Sequence, residues 1–351
     1  MTILLYLSSS FAITYAVTPI LIKFAKNAQI YAHDSDRKCH TSPVPSTGGA
    51  ALFLGILFPT MLLTPNTEFN SIQYLICAQF TIFLLGLKDD IFILSARKKL
   101  FFQIICAQII FLFTSVRIDN FYSILGIQEL TYLESNMATT IIFVGLTNAF
   151  NLIDGINWLA GLMSISAASF LAYWFTINGF QIESGIASTL IGSVAAFLIF
   201  NKTPSRIFMG DAGSLLLGFT ISYLLIRFIN LNHEAAILTV RFQSAPFIAM
   251  SVVFVPILDT TRILITRILQ KRSPLTPDQN HLHHILLRKG LSHIQASLTL
   301  FLINYSAIAT AIILNNTAGK TTITYILLLL YAITILTAFT CLNKKSYQIK
   351  L

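Results

Sequence analysis

The sequence predicts an all-α, polytopic integral membrane protein with about 11 transmembrane helices, N-terminus outside and C-terminus inside. Three observations carry this. Of 351 residues, 55% are hydrophobic and only 11% are charged, against about 25% charged in an ordinary soluble domain. That leaves too little polar surface for a water-exposed globule, and a disordered chain would need the opposite balance. The apolar residues fall in windows close to the roughly 20 residues that span a bilayer. The 23 Lys and Arg residues sort between alternate connectors.

In chain order the windows are 3–22, 48–65, 71–87, 100–117, 138–153, 158–176, 185–201, 212–231, 244–261, 293–314 and 321–341. No basic stretch precedes the first, so it is expected to be a permanent span, not a cleaved leader. The fifth is short and carries polar residues. The ninth contains Pro256, which should kink it, and the basic, apolar stretch after it is expected to lie along the membrane interface. These windows use most of the chain, so 1–351 reads as a single domain. Cys39, Cys77, Cys106 and Cys341 have neither disulfide nor metal-site spacing.

With the N-terminus outside, nineteen of the Lys and Arg residues fall on inner connectors. Only Arg117, Arg227, Arg241 and Lys320 remain outside, which fits the positive-inside rule. All five Glu residues fall on the outer side. Asp34, Asp36, Asp89, Asp90, Asp154, Asp211, Asp259 and Asp278 fall on or near the inner side. A basic face explains itself by topology and asks for no nucleic acid. Aspartates gathered within it ask for another reason, and a metal-bound phosphate substrate supplies one.

Five inner segments, near 23–47, 88–99, 154–157, 202–211 and 262–292, carry the polar constellations. The first runs from His33 through Lys38 to Pro43, Pro45, Gly48 and Gly49, where glycine lets backbone N–H groups approach a ligand. The second sets Asp89 and Asp90 at the end of an apolar span, followed by Arg97, Lys98 and Lys99. Adjacent acids repel, and an Asp at a helix C-terminus opposes the dipole. Function offsets both penalties if one carboxylate is a base and the other lies near a cation. Asn148, Asn151, Asp154 and Asn157 recur every third residue, so neighbouring members share a helix face. Such a stripe faces protein or a water-filled cavity. Asp211, between Gly210 and Gly213, opens an apolar span. It either caps that helix or holds a cation beside phosphate oxygens. His281, His283 and His284 precede Arg288 and Lys289. Without nearby thiolates they fit donors to a diphosphate better than zinc ligands. Asp259 and Arg262 read as an intrahelical pair.

In this order, the five segments resemble the polyprenyl-phosphate N-acetylhexosamine-1-phosphate transferases, closest to the bacterial undecaprenyl-phosphate N-acetylglucosamine enzymes. Each motif alone is weak; the ordered set over nearly the whole chain carries the resemblance. It implies that UDP-N-acetylglucosamine and undecaprenyl phosphate give a lipid-diphosphate sugar and UMP, with Mg²⁺ or its substitute Mn²⁺. It implies Asp89, Asp90 and Asp211 as catalytic residues, Asp89 as a base and Asp90 beside the metal. Asp211 and Asn151 match the metal-holding positions. Asn148, Asp154 and Asn157 match the nucleotide site, Lys38 and Lys99 the phosphate-proximal cations, and His281, His283 and His284 the donor-diphosphate motif. The family commonly has Asp-Gly-x-Asp-Gly where this chain has Asp154-Gly155-Ile156-Asn157-Trp158. The separated His pattern is that of the N-acetylglucosamine enzymes rather than of the muramoyl-pentapeptide relative.

The resemblance further implies a bacterial cytoplasmic (inner) membrane location, with the site facing the cytoplasm, contacts with membrane lipids, and room for a homodimer. The implied product would start O-antigen, enterobacterial common antigen or a teichoic acid linkage unit. Another UDP-N-acetylhexosamine or a UDP-muramoyl-peptide donor stays open. From the residues alone so do two other classes: a transporter of an anionic solute, and a lipid-binding scaffold.

Overall fold

The computed structural model describes residues 2–29, 44–66, 69–124, 127–271, 273, 280–317, 330–337 and 339. Among them the chain forms α1 (Thr2–Asn27), α2 (Gly48–Leu63), α3 (Phe69–Ile91), α4 (Ala96–Phe113), β1 (Asn120–Ile124), β2 (Ile127–Glu129), α5 (Tyr132–Ile153), α6 (Leu159–Ile177), α7 (Gln181–Phe200), α8 (Gly210–Glu234), α9 (Ala245–Val252), α10 (Phe254–Leu269), α11 (Leu282–Arg288) and α12 (His293–Thr317). Residues 330–337 are also helical. Seven of these helices are long and apolar enough to cross a membrane, or eight if the bent pair α9–α10 is one span. The protein is therefore a multi-pass membrane protein. The second window holds the 16-residue α2; the fourth overlaps the 18-residue α4, which starts earlier, at Ala96, and so opens on Arg97, Lys98 and Lys99. Most of the last window lies outside the described residues.

Three expectations change. The fifth window begins too late: α5 starts at Tyr132, because Thr131 and Glu134 form a capping box over a polar first turn. Glu134 N donates to Thr131 Oγ1 at 3.4 Å, and Thr131 N donates to Glu134 Oε2 at 2.8 Å. The ninth window is two helices meeting at 80°. The break falls at Val253, ahead of Pro256. It is held by Asn304 Oδ1, which accepts Val255 N at 3.0 Å, and Asn304 Nδ2, which donates to Val252 O at 3.0 Å. A freed backbone inside a bundle needs such a partner. The outer connector contains the antiparallel β1–β2 hairpin, with Asn120 opposite Glu129, which an all-α reading omits.

The architecture is centred on α8. Nearly every residue from Ala212 to Asn232 is buried, as a helix apolar on all sides must be. Its neighbours include α2, α3, α5, α6, α7 and α9. Glycines let them approach: a Cβ on Gly86 of α3 would lie 2.4 Å from Ala212 Cα, and one on Gly49 of α2 would lie 2.4 Å from Gly213 N. α1 packs against α7 through Ser10 Oγ, which donates to Thr189 O at 2.6 Å, and the Thr14–Ser193 hydroxyl pair at 2.8 Å. At the end of α8 away from Asp211, Asn232 Nδ2 donates to Phe242 O at 2.8 Å and Asn230 Nδ2 to Arg117 O at 2.8 Å.

Near that end, Arg227 Nε donates to Glu183 Oε1 at 2.9 Å, both side chains largely buried. Removing one member would leave the other charge buried and unpaired, at a cost of about 3 kcal/mol. Glu183→Ala is expected to lower the thermal midpoint of detergent-solubilised protein accordingly. An unchanged midpoint would mean that the pair is solvated.

Candidate active site

The ends of three helices meet the opening of a fourth, α8. Asp89 and Asp90 close α3, Lys99 lies in the first turn of α4, Asn148 and Asn151 lie in the last turns of α5, and Asp211 starts α8. The Lys99 ammonium bridges the two carboxylates, contacting Asp89 Oδ2 and reaching Asp211 Oδ2 at 2.8 Å. Asp89 Oδ1 also accepts Leu94 N at 2.7 Å, which fixes the turn between α3 and α4. Asp90 points elsewhere. Its Oδ1 accepts Asp211 N at 2.8 Å and its Oδ2 accepts Ala212 N at 3.1 Å. Asp90 thus caps α8, and Asp211, one candidate for that cap, turns its carboxylate to Lys99 instead.

The first and fourth segments join through their backbones. Phe208 N donates to Pro45 O at 2.8 Å, Gly48 N to Phe208 O at 3.0 Å and Gly49 N to Met209 O at 2.8 Å. Ser46 Oγ and Thr47 Oγ1 are buried there without hydrogen-bond partners among the described residues. Lys38 lies outside the described residues.

The every-third-residue stripe on α5 divides by role. Asn151 Nδ2 donates to Ser214 Oγ at 3.0 Å, on the first turn of α8. Asn148 Nδ2 donates to Gln103 Oε1 at 2.7 Å, and Gln103 Nε2 returns a bond at 3.3 Å, tying α5 to α4. Asp154 closes α5, its N–H donating to Asn151 O at 3.3 Å. Asn157 is buried: its Nδ2 donates to Thr203 Oγ1 at 2.8 Å, and its carbonyl accepts Ser297 Oγ at 2.8 Å. It joins three segments of this end. Trp158 has φ +73°, a left-handed conformation that suits the family's usual glycine. Here Trp158 is held by its N–H to Asn201 Oδ1 at 2.9 Å and its Nε1 to Leu198 O at 3.0 Å.

The histidines reach the same loop. The His283 ring covers Gly155, where a Cβ would lie 2.3 Å from Nε2. Its ring is 4.3 Å from that of His284 and 5.6 Å from that of His281, centroid to centroid. His281 Nδ1 lies 2.8 Å from Asp259 Oδ2, Leu282 N donates to Asp259 Oδ1 at 3.0 Å, and Arg262 Nη2 lies 3.1 Å from the same oxygen. Asp259 is therefore more than the expected intrahelical partner of Arg262: it anchors the His segment. Its one sequence signal was a carboxylate inside an apolar window. Gln103 and Ser214, also absent from the expected site, have no signal beyond polarity among apolar neighbours.

Residues 72–229 match the model of the glycosyl transferase family 4. A probable undecaprenyl-phosphate N-acetylglucosaminyl 1-phosphate transferase of Bacillus subtilis (strain 168) is 33% identical over 302 residues, 86% of this chain and 81% of the relative. The chain belongs to glycosyl transferase family 4. An undecaprenyl-phosphate alpha-N-acetylglucosaminyl 1-phosphate transferase of Salmonella typhi is 30% identical over 267 residues, 74% of this chain and 70% of the relative. A decaprenyl-phosphate N-acetylglucosaminephosphotransferase of Mycobacterium leprae (strain TN) is 30% identical over 316 residues, 83% and 78% of the two chains. Family membership decides against the transporter and the scaffold.

Burial, then the neighbouring His284, pushes the His283 pKa down from 6.5 to about 3. The unfolded chain therefore binds this proton first as pH falls. The stability contributed by neutral His283 is whole above about pH 6.5 and is lost as pH drops toward 3. The gap in thermal midpoint between wild type and His283→Gln is expected to narrow below pH 6.5. A gap that stays constant between about pH 8 and pH 5 would contradict this.

Proposed function

We propose that the protein transfers N-acetylglucosamine 1-phosphate from UDP-N-acetylglucosamine to undecaprenyl phosphate, releasing UMP. The family and the activities for which its relatives are named support the transferase class, the polyprenyl acceptor and the sugar. The observation that carries the chemistry is the convergence of Asp89, Lys99 and Asp211. Phosphoryl transfer depends mainly on alignment and charge neutralisation. An acceptor-phosphate oxygen attacks the sugar-bearing phosphorus of the donor. The bond from that phosphorus to the bridging oxygen breaks, and UMP leaves with that oxygen. Asp89 is the group placed to take a proton from the acceptor phosphate. Lys99 is placed to steady the phosphates. His281, His283 and His284, beside the Asp154 loop, are suited to the donor diphosphate.

The residues fit Mg²⁺. The place between Asp89 and Asp211 holds positive charge, since the Lys99 ammonium sits there. Asp211 and the Asn151 amide offer oxygen donors, which suit a hard cation. Among the described residues no three His, Cys, Asp or Glu side chains form a metal cluster. A cation here would take one or two protein ligands and complete its shell with phosphates and water. Bound there, Mg²⁺ would neutralise the donor diphosphate.

We place the protein in a bacterial cytoplasmic membrane with the site toward the cytoplasm, because the segments that meet at the site carry most of the Lys and Arg residues. Purified protein given both substrates and Mg²⁺ is expected to release UMP and to stop on chelation. Asp89→Asn and Asp211→Asn are each expected to lose about 10²–10⁴-fold in rate. UDP-N-acetylglucosamine should outpace other UDP-sugars and a UDP-muramoyl-peptide. Metal-independent turnover, or full activity in both variants, would sink the mechanism.

A further inference from the structure

The adjacent aspartates invite a shared role, but their surroundings divide them. Asp89 faces Lys99 and Asp211. Both oxygens of Asp90 are spent on consecutive backbone N–H groups at the first turn of α8. The residue before α8, Met209, gives no side-chain cap. A helix that begins inside a protein needs partners for its first N–H groups, and its positive end favours an anion. A carboxylate at the C-terminal end of α3 has the wrong sign for α3 and the right sign for α8. The backbone is shaped around it. Gly210 has φ +71°, and a Cβ there would lie 2.6 Å from Asp90 Oδ2 and 2.8 Å from Ser46 O. Gly86, one turn before Asp90, lets α3 lie directly against Ala212.

We propose that Asp90 is a positioning residue, whose carboxylate fixes the first turn of α8 and so aims Asp211 at Lys99 and the substrate phosphates, without itself touching the reacting atoms. This deepens the transferase reading and rests on it for the role of Asp211. It separates the two members of the acidic pair: Asp89 acts on substrate, and Asp90 acts through Asp211.

The test compares full-length wild type with Asp90→Asn, Asp90→Ala and Gly210→Ala. Asparagine keeps one acceptor for the Asp211 N–H, whereas alanine keeps none. UMP release is expected to fall about tenfold in Asp90→Asn and about a hundredfold in Asp90→Ala. Gly210→Ala should follow Asp90→Ala, because the new methyl displaces the carboxylate. Two readouts do not depend on turnover. Amide hydrogen exchange over residues 208–216, measured without metal, should speed up in the order wild type, Asp90→Asn, Asp90→Ala. The dissociation constant for Mn²⁺ alone should rise about tenfold in Asp90→Ala. If Asp90→Ala does not fold, Asp90→Asn and Gly210→Ala carry the comparison. Asp90→Asn as inactive as Asp90→Ala, together with a fully active Gly210→Ala and with exchange and Mn²⁺ binding unchanged, would overturn the proposal and assign Asp90 to the substrate. Wild type that neither binds Mn²⁺ nor releases UMP would instead remove the transferase reading, and the exchange data would still judge the cap.

Discussion

Two helix ends carry charges of the wrong sign for their own dipoles and a third lacks a side-chain cap, and the site depends on their meeting. α3 closes on Asp89 and Asp90, α4 opens on Arg97, Lys98 and Lys99 with no acid in its first turn, and α8 opens without a side-chain cap of its own. Alone, each end is unfavourable by a fraction of a kcal/mol to about 1 kcal/mol. Together they offset one another: Asp89 takes Lys99, and Asp90 takes the N–H groups of α8. Close packing at Gly49, Gly86, Gly210 and Gly213 makes the meeting sterically possible. A larger side chain at any of these would push the charges apart.

This junction sits at the end of the most buried helix. α8 is enclosed by other helices along nearly its whole length, so Asp211 is carried on a rigid element. The second cluster is held by the same device. Asp259 receives both the His281 ring and the N–H that begins α11, which settles the His segment over Gly155. The loop after α5, between the two clusters, is tied to its surroundings through Asn157, Thr203 and Ser297. The arrangement suits a reaction whose acceptor comes from the bilayer and whose donor comes from water.

Much of this was legible in the sequence. Apolar windows gave the helices, and the paired aspartates, the every-third-residue stripe and the spaced histidines named segments that do converge. What was hidden depends on long-range partners. The start of α5 lay in a polar turn that hydropathy rejects and a capping box rescues. The bend at Val253 is stabilised by Asn304, about fifty residues away, and no local pattern shows it. The division of Asp89 from Asp90 is invisible to spacing, since adjacent residues on a helix end differ by direction alone. Asn148 and Asn157, read as nucleotide-site residues, have amides engaged with Gln103 and Thr203. Trp158 stood out as a departure; its positive φ gives the physical reason a glycine is usual there.

The most direct measurement is the anomalous signal of Mn²⁺ in crystals of the protein with UMP. The expected result is one peak at the α3–α8 junction, against Asp211, with Asp89 and Lys99 beside it and Asp90 still on the first N–H groups of α8. A peak at the histidines with none at Asp211, or Asp89 and Asp211 found at opposite ends of the bundle, would contradict it.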